Sequence, residues 1–274
     1  TGIFKAAHPD RSFNAGVAEA DMVGVAAGLA AEGKVPFPAT FACFASRRVF
    51  DQFFISCAYA RLAVKLVGLD PGITAAFNGG THMPFEDLGL MRMVPGLDIV
   101  EPSDPVSLAA LVRELASRPG PAYLRLHRRT IEPRYPGGEA FAVGSAKLLR
   151  EGRHLLIVAL GAFMVGEALK AADLLSAKGV EASVIDALSL KPLDDRLILA
   201  EARRTGTVLT AENHQVHGGL GSAVAELLAE SGGAKLGRVG IRDEFGEVGT
   251  EAWLAGRFKL RAEDIAEAAR ALLP

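Results

Sequence analysis

The stretch 13–54, FNAGVAEADMVGVAAGLAAEGKVPFPATFACFASRRVFDQFF, constrains this chain more than any other part of it. An alanine- and glycine-rich run with apolar residues every three or four positions reads as a helix, and Met22, Val25, Ala26 and Leu29 form its apolar stripe. Glu19 stands three residues before Met22 and seven before Ala26, so an acid points toward the buried side. A charge placed there is costly without a partner. The expectation is a partly desolvated carboxyl with a raised pKa and a proton to share with a neutral acceptor. The helix dipole alone also favours an acid in the first turn, and the spacing does not choose between the two. The next segment, PFPATFACF, alternates Phe37, Ala39, Phe41 and Cys43 like a strand and delivers Phe44 at its exit, just before Ser46-Arg47-Arg48. Core packing accounts for most strand aromatics. The other reading is that Phe41 and Phe44 flank the mouth of a site.

The remainder of the chain repeats one theme, short apolar strands alternating with helices, which is the pattern of an α/β protein built on parallel sheets. A helical stripe of Val49, Phe50, Phe53, Phe54 and Cys57 leads into a strand at 63–67. The loop 68–84, GLDPGITAAFNGGTHMP, carries His82 and precedes a helix beginning near Pro84, and strand-exit loops are where sites collect. A strand at 97–100 is followed by a helix capped by Ser103 or Asp104 with Pro105 in its first turn, and PAYLRLHRR supplies a closing strand. Tyr135-Pro136-Gly137-Gly138 marks a boundary. Beyond it, strands are expected at 155–159, 182–185, 207–211 and 236–241. The intervening helices fall at 167–178, after Asp194 or Asp195, and at 222–230, with a last one at 262–273.

With 274 residues, 50% hydrophobic, the chain is long enough for two such domains. Its 30 basic and 32 acidic residues give a net charge of −2, which offers neither nucleic acid nor an anionic membrane a basic field. Two cysteines, Cys43 and Cys57, in apolar surroundings read as core thiols of a reducing compartment. No apolar run is long enough to span a bilayer, and the cytoplasm is the default location. The motif HGGLGSAVAE imitates a dinucleotide loop, but Val224 replaces the third glycine and Glu212 would oppose a pyrophosphate. His214 and His217 read as exposed loop residues without metal-ligand company.

The segment GVAEADMVGVAAGLAAEGKVPFPATFACFASRRVFDQ resembles the pyrimidine-binding domain of transketolase-type thiamine-diphosphate enzymes. It has the glycine, apolar, small, Glu motif at 16–19, the glycine- and alanine-rich helix, and the Thr-Phe-x-x-Phe strand at 40–44. The resemblance runs from about Phe4 to the C-terminus. It implies two doubly wound α/β domains: a pyrimidine-binding unit over 1–134, a linker over 135–152 and a transketolase C-terminal unit over 153–274. A strand precedes this motif in the family, so a further piece before Thr1 is expected.

The roles implied follow the motif. Glu19 hydrogen-bonds the cofactor's aminopyrimidine, Phe44 stacks on it and Phe41 lines the pocket. His82, in Thr81-His82, meets the ketose hydroxyl and carbonyl, and Arg128 meets an anionic substrate tail. Asp70, Phe77 and Asn78 depart from the histidine and the Glu-Asp pair of common transketolases. Asp70 and Asn78 are therefore the expected modifiers of substrate binding, and an acid at Asp70 would repel a phosphate. The Gly-Asp-Gly and Asn that hold Mg²⁺ and diphosphate in the family are not found here. The resemblance thus implies a split enzyme: an N-terminal transketolase subunit carries the diphosphate half, the assembly is an α2β2 heterotetramer, and a two-carbon unit passes from a ketose to an aldose. The β subunit of a 2-oxoacid dehydrogenase E1 and deoxyxylulose-phosphate synthase are alternatives on the same fold. A non-catalytic nucleotide-binding or interaction protein is the alternative outside enzymes.

Overall fold

A computed structural model describes residues 2–273. Among them lie β1 (Ala39–Phe41), β2 (Lys65–Leu69), β3 (Asp98–Val100), β4 (Ala122–Leu126), β5 (Lys147–Arg150), β6 (Leu155–Ala159), β7 (Ala182–Asp186), β8 (Ser189–Lys191), β9 (Thr207–Gln215) and β10 (Lys235–Ile241). They form two five-stranded sheets in the orders β1-β2-β4-β3-β8 and β10-β9-β6-β7-β5. Pairing is parallel except at two edges, β3 with β8 and β5 with β7. This is the α/β architecture expected. Strands such as LLIVA at β6 are buried on both faces because helices cover both sides of a parallel sheet.

The two halves are more tightly joined than two beads on a linker. β8 comes from the second half of the chain yet pairs with β3 in the first sheet, and Lys147–Arg150, inside the expected linker, is the edge strand of the second sheet. One apolar core includes Val23, Phe53 and Leu66 together with Leu156, Ile185 and Val224. Between the sheets lies a buried charge cluster. Arg125 on β4 gives hydrogen bonds to both carboxylate oxygens of Asp87 at 2.8 and 3.0 Å, to those of Glu101 at 2.9 and 3.0 Å, and to the Asn213 carbonyl on β9 at 2.9 Å. Tyr123 donates to Asp87 at 2.9 Å. Its ring needs the space beside β2 that a side chain at Gly68 would fill. Nothing in PAYLRLHRR singles out Arg125 from the arginines that follow it. Arg125 is nonetheless 1% exposed.

Several boundaries move. The expected strand at 63–67 lies at Lys65–Leu69, the helix near Pro84 begins at Asp87, and the helix expected at 167–178 begins at Ala162. Helices at Gly2–Ala7 and Glu251–Arg257 lie outside the sequence expectations, although Thr250 caps the second by accepting the Trp253 amide, a readable N-terminal signal. The helix Pro105–Ser117 starts with the foreseen Asp104 cap, reciprocated by Ser107.

Arg125→Met leaves two carboxylates buried without their counter-ion, and breaking such a set typically costs about 3–5 kcal/mol. The expected outcome is a loss of that order in denaturant-unfolding free energy. A loss below about 1 kcal/mol would show that the cluster is not what joins the sheets.

Candidate active site

β1 ends at Phe41, at the carboxyl edge of a parallel sheet, where ligands of such folds bind. The strand is shorter than the alternation to Cys43 predicts, because the chain turns at once into a wide π-type turn over Phe44–Arg48. Turns of this kind recur at functional positions. Here the turn leaves Phe41 and Phe44 half-buried with centroids 6.1 Å apart and planes at 89°. The His82 ring stands edge-on to both, at 5.5 Å from Phe41 and 5.1 Å from Phe44. Thr81 Oγ1 lies 2.9 Å from His82 Nδ1, and Arg47 ties the two segments by donating to the Thr81 carbonyl at 3.0 Å.

Glu19 opens the helix Glu19–Ala31 and is 7% exposed, as the stripe argument requires. The stripe itself rotates: Val23, Ala26 and Ala27 are buried with it, Met22 is half-buried and Val25 is exposed. The acid is not alone. Arg48 Nη1 donates to Oε2 at 2.6 Å and Thr40 Oγ1 to Oε1 at 3.4 Å. Burial works to raise the carboxyl's pKa, but the Arg48 hydrogen bond and charge, with Thr40, outweigh it and hold the group below its usual value. The expected raised pKa is therefore corrected, and the sequence argument missed Arg48. Its guanidinium lies over the Phe44 ring at 3.9 Å from the centroid, so one flat cation bridges acid and aromatic.

The loop bearing His82 is held from the second half of the chain. Asn213 accepts the Ile73 amide at 3.0 Å and donates to the Pro71 carbonyl at 3.0 Å, and Gly72 leaves room for it at a φ of +55°. Asp70 and Ala76 also adopt positive φ, at 54° and 47°, strain that clusters at functional loops.

Arg128 stands 5.6 Å from the Phe41 ring, beside Asp70. Arg128 Nε is 2.9 Å from Asp70 Oδ2, an ion pair out of line for a hydrogen bond, which leaves that buried oxygen without a donor. Burial raises the Asp70 pKa, against the pull of Arg128 and His127. His127 in turn contacts Glu251 at 3.4 Å. Asn78 and Phe77 are exposed on the same loop, and the Asn78 side chain takes no part in these contacts. The structure thus brings Glu19, Phe41, Phe44, His82, Arg128 and Asp70 into one continuous set on an open face.

The other sequence candidates resolve differently. His214, expected exposed, is fully buried, its Nε2 accepting the Gly89 amide at 3.2 Å, and burial lowers its pKa to about 4. His217 is exposed. Glu212 accepts the Leu220 and Gly221 amides at 2.6 and 2.8 Å, filling with its own carboxylate the helix N-terminus at which a phosphate would sit. Cys43 and Cys57 are free and buried. Among the described residues no group of three or more His, Cys, Asp or Glu is placed to hold a metal ion, and no helix is long and apolar enough to cross a membrane.

Residues 1–133 match the transketolase pyrimidine-binding domain and residues 144–265 the transketolase C-terminal domain. The 6-deoxy-6-sulfo-D-fructose transketolase subunit SqwH of Clostridium sp. (strain MSTE9) is 50% identical over 95% of this chain and 81% of its own. The chain belongs to the transketolase family. A solved split gene transketolase, an inactive β4 tetramer, superposes with a TM-score of 0.92 at 42% identity, over 98% of this chain and 86% of that one. The 1-deoxy-D-xylulose-5-phosphate synthase 1 of Geobacter sulfurreducens is 38% identical over 97% of this chain but only 42% of its own length. With both domains matched and most of a curated subunit covered, this is a transketolase subunit of the split kind, from an enzyme family that uses thiamine diphosphate.

Arg128→Ala removes the counter-charge of a buried acid and should destabilise the transketolase subunit by about 1–3 kcal/mol near neutral pH. Asp70, already raised by burial, rises further. A carboxyl whose folded pKa exceeds its unfolded one holds its proton more tightly when folded, so the penalty shrinks as pH falls from about 7 to about 4. Unfolding of both proteins at the two pH values checks this, and an equal penalty at both contradicts the pairing.

Proposed function

We propose that Glu19, Phe44 and Phe41 form the pyrimidine side of a thiamine-diphosphate site that a partner subunit completes, and that His82, Arg128, Asp70 and Asn78 face the substrate. The observation that carries this reading is the slot between Glu19 and Phe44. It accommodates a flat, nitrogen-bearing group that meets the acid and stacks on the ring, as the Arg48 guanidinium does; an aminopyrimidine is flat as well, and its ring nitrogen, an acceptor when neutral, pairs with the acid through a shared proton. The residues present fit the cofactor's ring. They do not fit its charged tail, so Mg²⁺ and the diphosphate are assigned to an N-terminal transketolase subunit carrying the diphosphate-binding domain.

When bound, thiamine diphosphate supplies the nucleophilic carbon that carries a two-carbon unit from a ketose to an aldose. The chain's own groups do the rest. Glu19 holds a proton at the pyrimidine ring nitrogen, Phe44 and Phe41 fix the plane of the ring, and His82, braced by Thr81 and both rings, meets the substrate's hydroxyl and carbonyl oxygens. The pyrimidine-binding unit is taken as 1–134, the linker as 135–152 and the C-terminal unit as 153–274, with β5 inside the linker serving as the edge strand of the C-terminal unit's sheet.

The substrate end is set by Arg128 with Asp70. A cation offset by a buried anion at 2.9 Å favours a neutral or singly charged terminus over a phosphate dianion. The Clostridium relative is named for a ketose with a sulfonate, which carries one charge. We therefore favour a ketose of that kind as donor. Assembly is supported by apolar surface beside the site: Val25, Ile55 and Tyr59 are exposed on two helical segments that pack together, and Phe13 and Val17 are exposed just before Glu19. An α2β2 heterotetramer in the cytoplasm is the assembly proposed.

In the reconstituted complex, Glu19→Gln should lower turnover by about 10²–10⁴-fold while leaving the protein folded. Near-normal turnover would refute the role of Glu19. Turnover of ketose plus aldose without release of CO2 separates transketolase from the related synthase and dehydrogenase chemistries. Asp70→Asn should raise kcat/KM for a phosphorylated ketose relative to an unphosphorylated or sulfonated one by roughly tenfold, and an unchanged ratio would remove Asp70 from specificity.

A further inference from the structure

Arg48 is the residue for which the proposed site has no place, because it sits where the cofactor's ring is to go. Its guanidinium donates to Glu19 at 2.6 Å and lies 3.9 Å above Phe44, the two contacts assigned above to the aminopyrimidine. The neighbouring Arg47 has a different, fixed task, tied to the Thr81 carbonyl at 3.0 Å and to Glu86 at 3.2 Å. The Arg48 side chain is 45% exposed, and its recorded polar contact is with Glu19 alone. A half-exposed ion pair and an exposed cation–π contact are both weak, so this occupant can be displaced at small cost.

We propose that Arg48 is a placeholder for the aminopyrimidine: in the free subunit it fills the slot and holds Glu19 in its inward orientation, and it swings to solvent when the cofactor arrives. This rests on the reading of Glu19 and Phe44 as the pyrimidine slot. Without some partner, a carboxylate that is buried with Arg48 in place would stand uncompensated beside a half-buried aromatic face, a costly surface for a chain that must wait for its other subunit. The placeholder also makes cofactor capture competitive. Binding must displace Arg48, so the observed affinity is reduced by the fraction of molecules in which the slot is filled. Arg48 is accordingly a positioning residue acting through Glu19. Its loss should help binding, whereas loss of an ordinary binding residue would harm it.

Arg48→Ala and Arg48→Lys test this, the second retaining charge but not the flat stack. Titration calorimetry of the reconstituted complex with thiamine diphosphate and Mg²⁺ should show Arg48→Ala binding about tenfold tighter than wild type, with Arg48→Lys between them. In the free subunit, carbon-13 NMR of the Glu19 carboxyl should show its titration moving up in Arg48→Ala, because burial remains while the counter-charge is gone. Weaker or unchanged cofactor binding by Arg48→Ala overturns the placeholder and makes Arg48 a wall of the slot. No binding by the wild-type complex instead sinks the underlying site assignment, so the two failures are told apart.

Discussion

The guanidinium of Arg125 is the constraint on which this architecture depends. Taken out of water, it is tolerable only because Asp87, Glu101 and the Asn213 carbonyl surround it, and those three come from a helix start, the exit of β3 and the second sheet. Its fork of donors satisfies three directions at once, which a lysine ammonium could not do with the same geometry. The consequence reaches the surface. β4, carrying Arg125, continues into His127 and Arg128, while the next atoms along Asn213 grip the loop of Asp70 and His82. The loop of Asp70 and His82, in the first half, is thus positioned by a strand of the second.

Above that frame the electrostatics are arranged in pairs. Glu19 is paid for by Arg48, and Asp70 by Arg128, and each cation is partly exposed while its anion is buried. Buried acids with movable counter-ions are suited to exchanging partners, which is the role we propose for Glu19 with an aminopyrimidine and for Asp70 with a substrate hydroxyl. Phe41, Phe44 and His82 stand between the two pairs in edge-to-face contact, a rigid apolar wall from which both can be reached. We read this wall as one face of a site that a second polypeptide closes, in keeping with a transketolase subunit of the split kind.

Much of this was legible in the chain because it is encoded locally. Glu19 falls on a helical stripe, Phe41 and Phe44 flank a strand exit, and the Asp104 and Ser107 cap is three residues wide. What could not be read depends on pairings distant in sequence. Arg48 meets Glu19 across 29 positions, Arg125 meets Asp87 across 38 and Asn213 across 88, and no periodicity announces any of them. That is why nothing marks Arg125 as buried, why His214 reads as exposed, and why the Glu19 pKa is expected on the wrong side of its usual value: burial can be inferred, its compensation cannot. The passage of β8 into the first sheet was hidden for the same reason, since three residues reading Ser-Leu-Lys carry no record of which sheet they join.

The most direct test of the central claim is a crystal structure of the reconstituted complex with thiamine diphosphate and Mg²⁺. The account predicts the aminopyrimidine stacked on Phe44, a ring nitrogen within about 3 Å of the Glu19 carboxylate and Arg48 turned away. A cofactor bound elsewhere, with Glu19 still joined to Arg48, would contradict it.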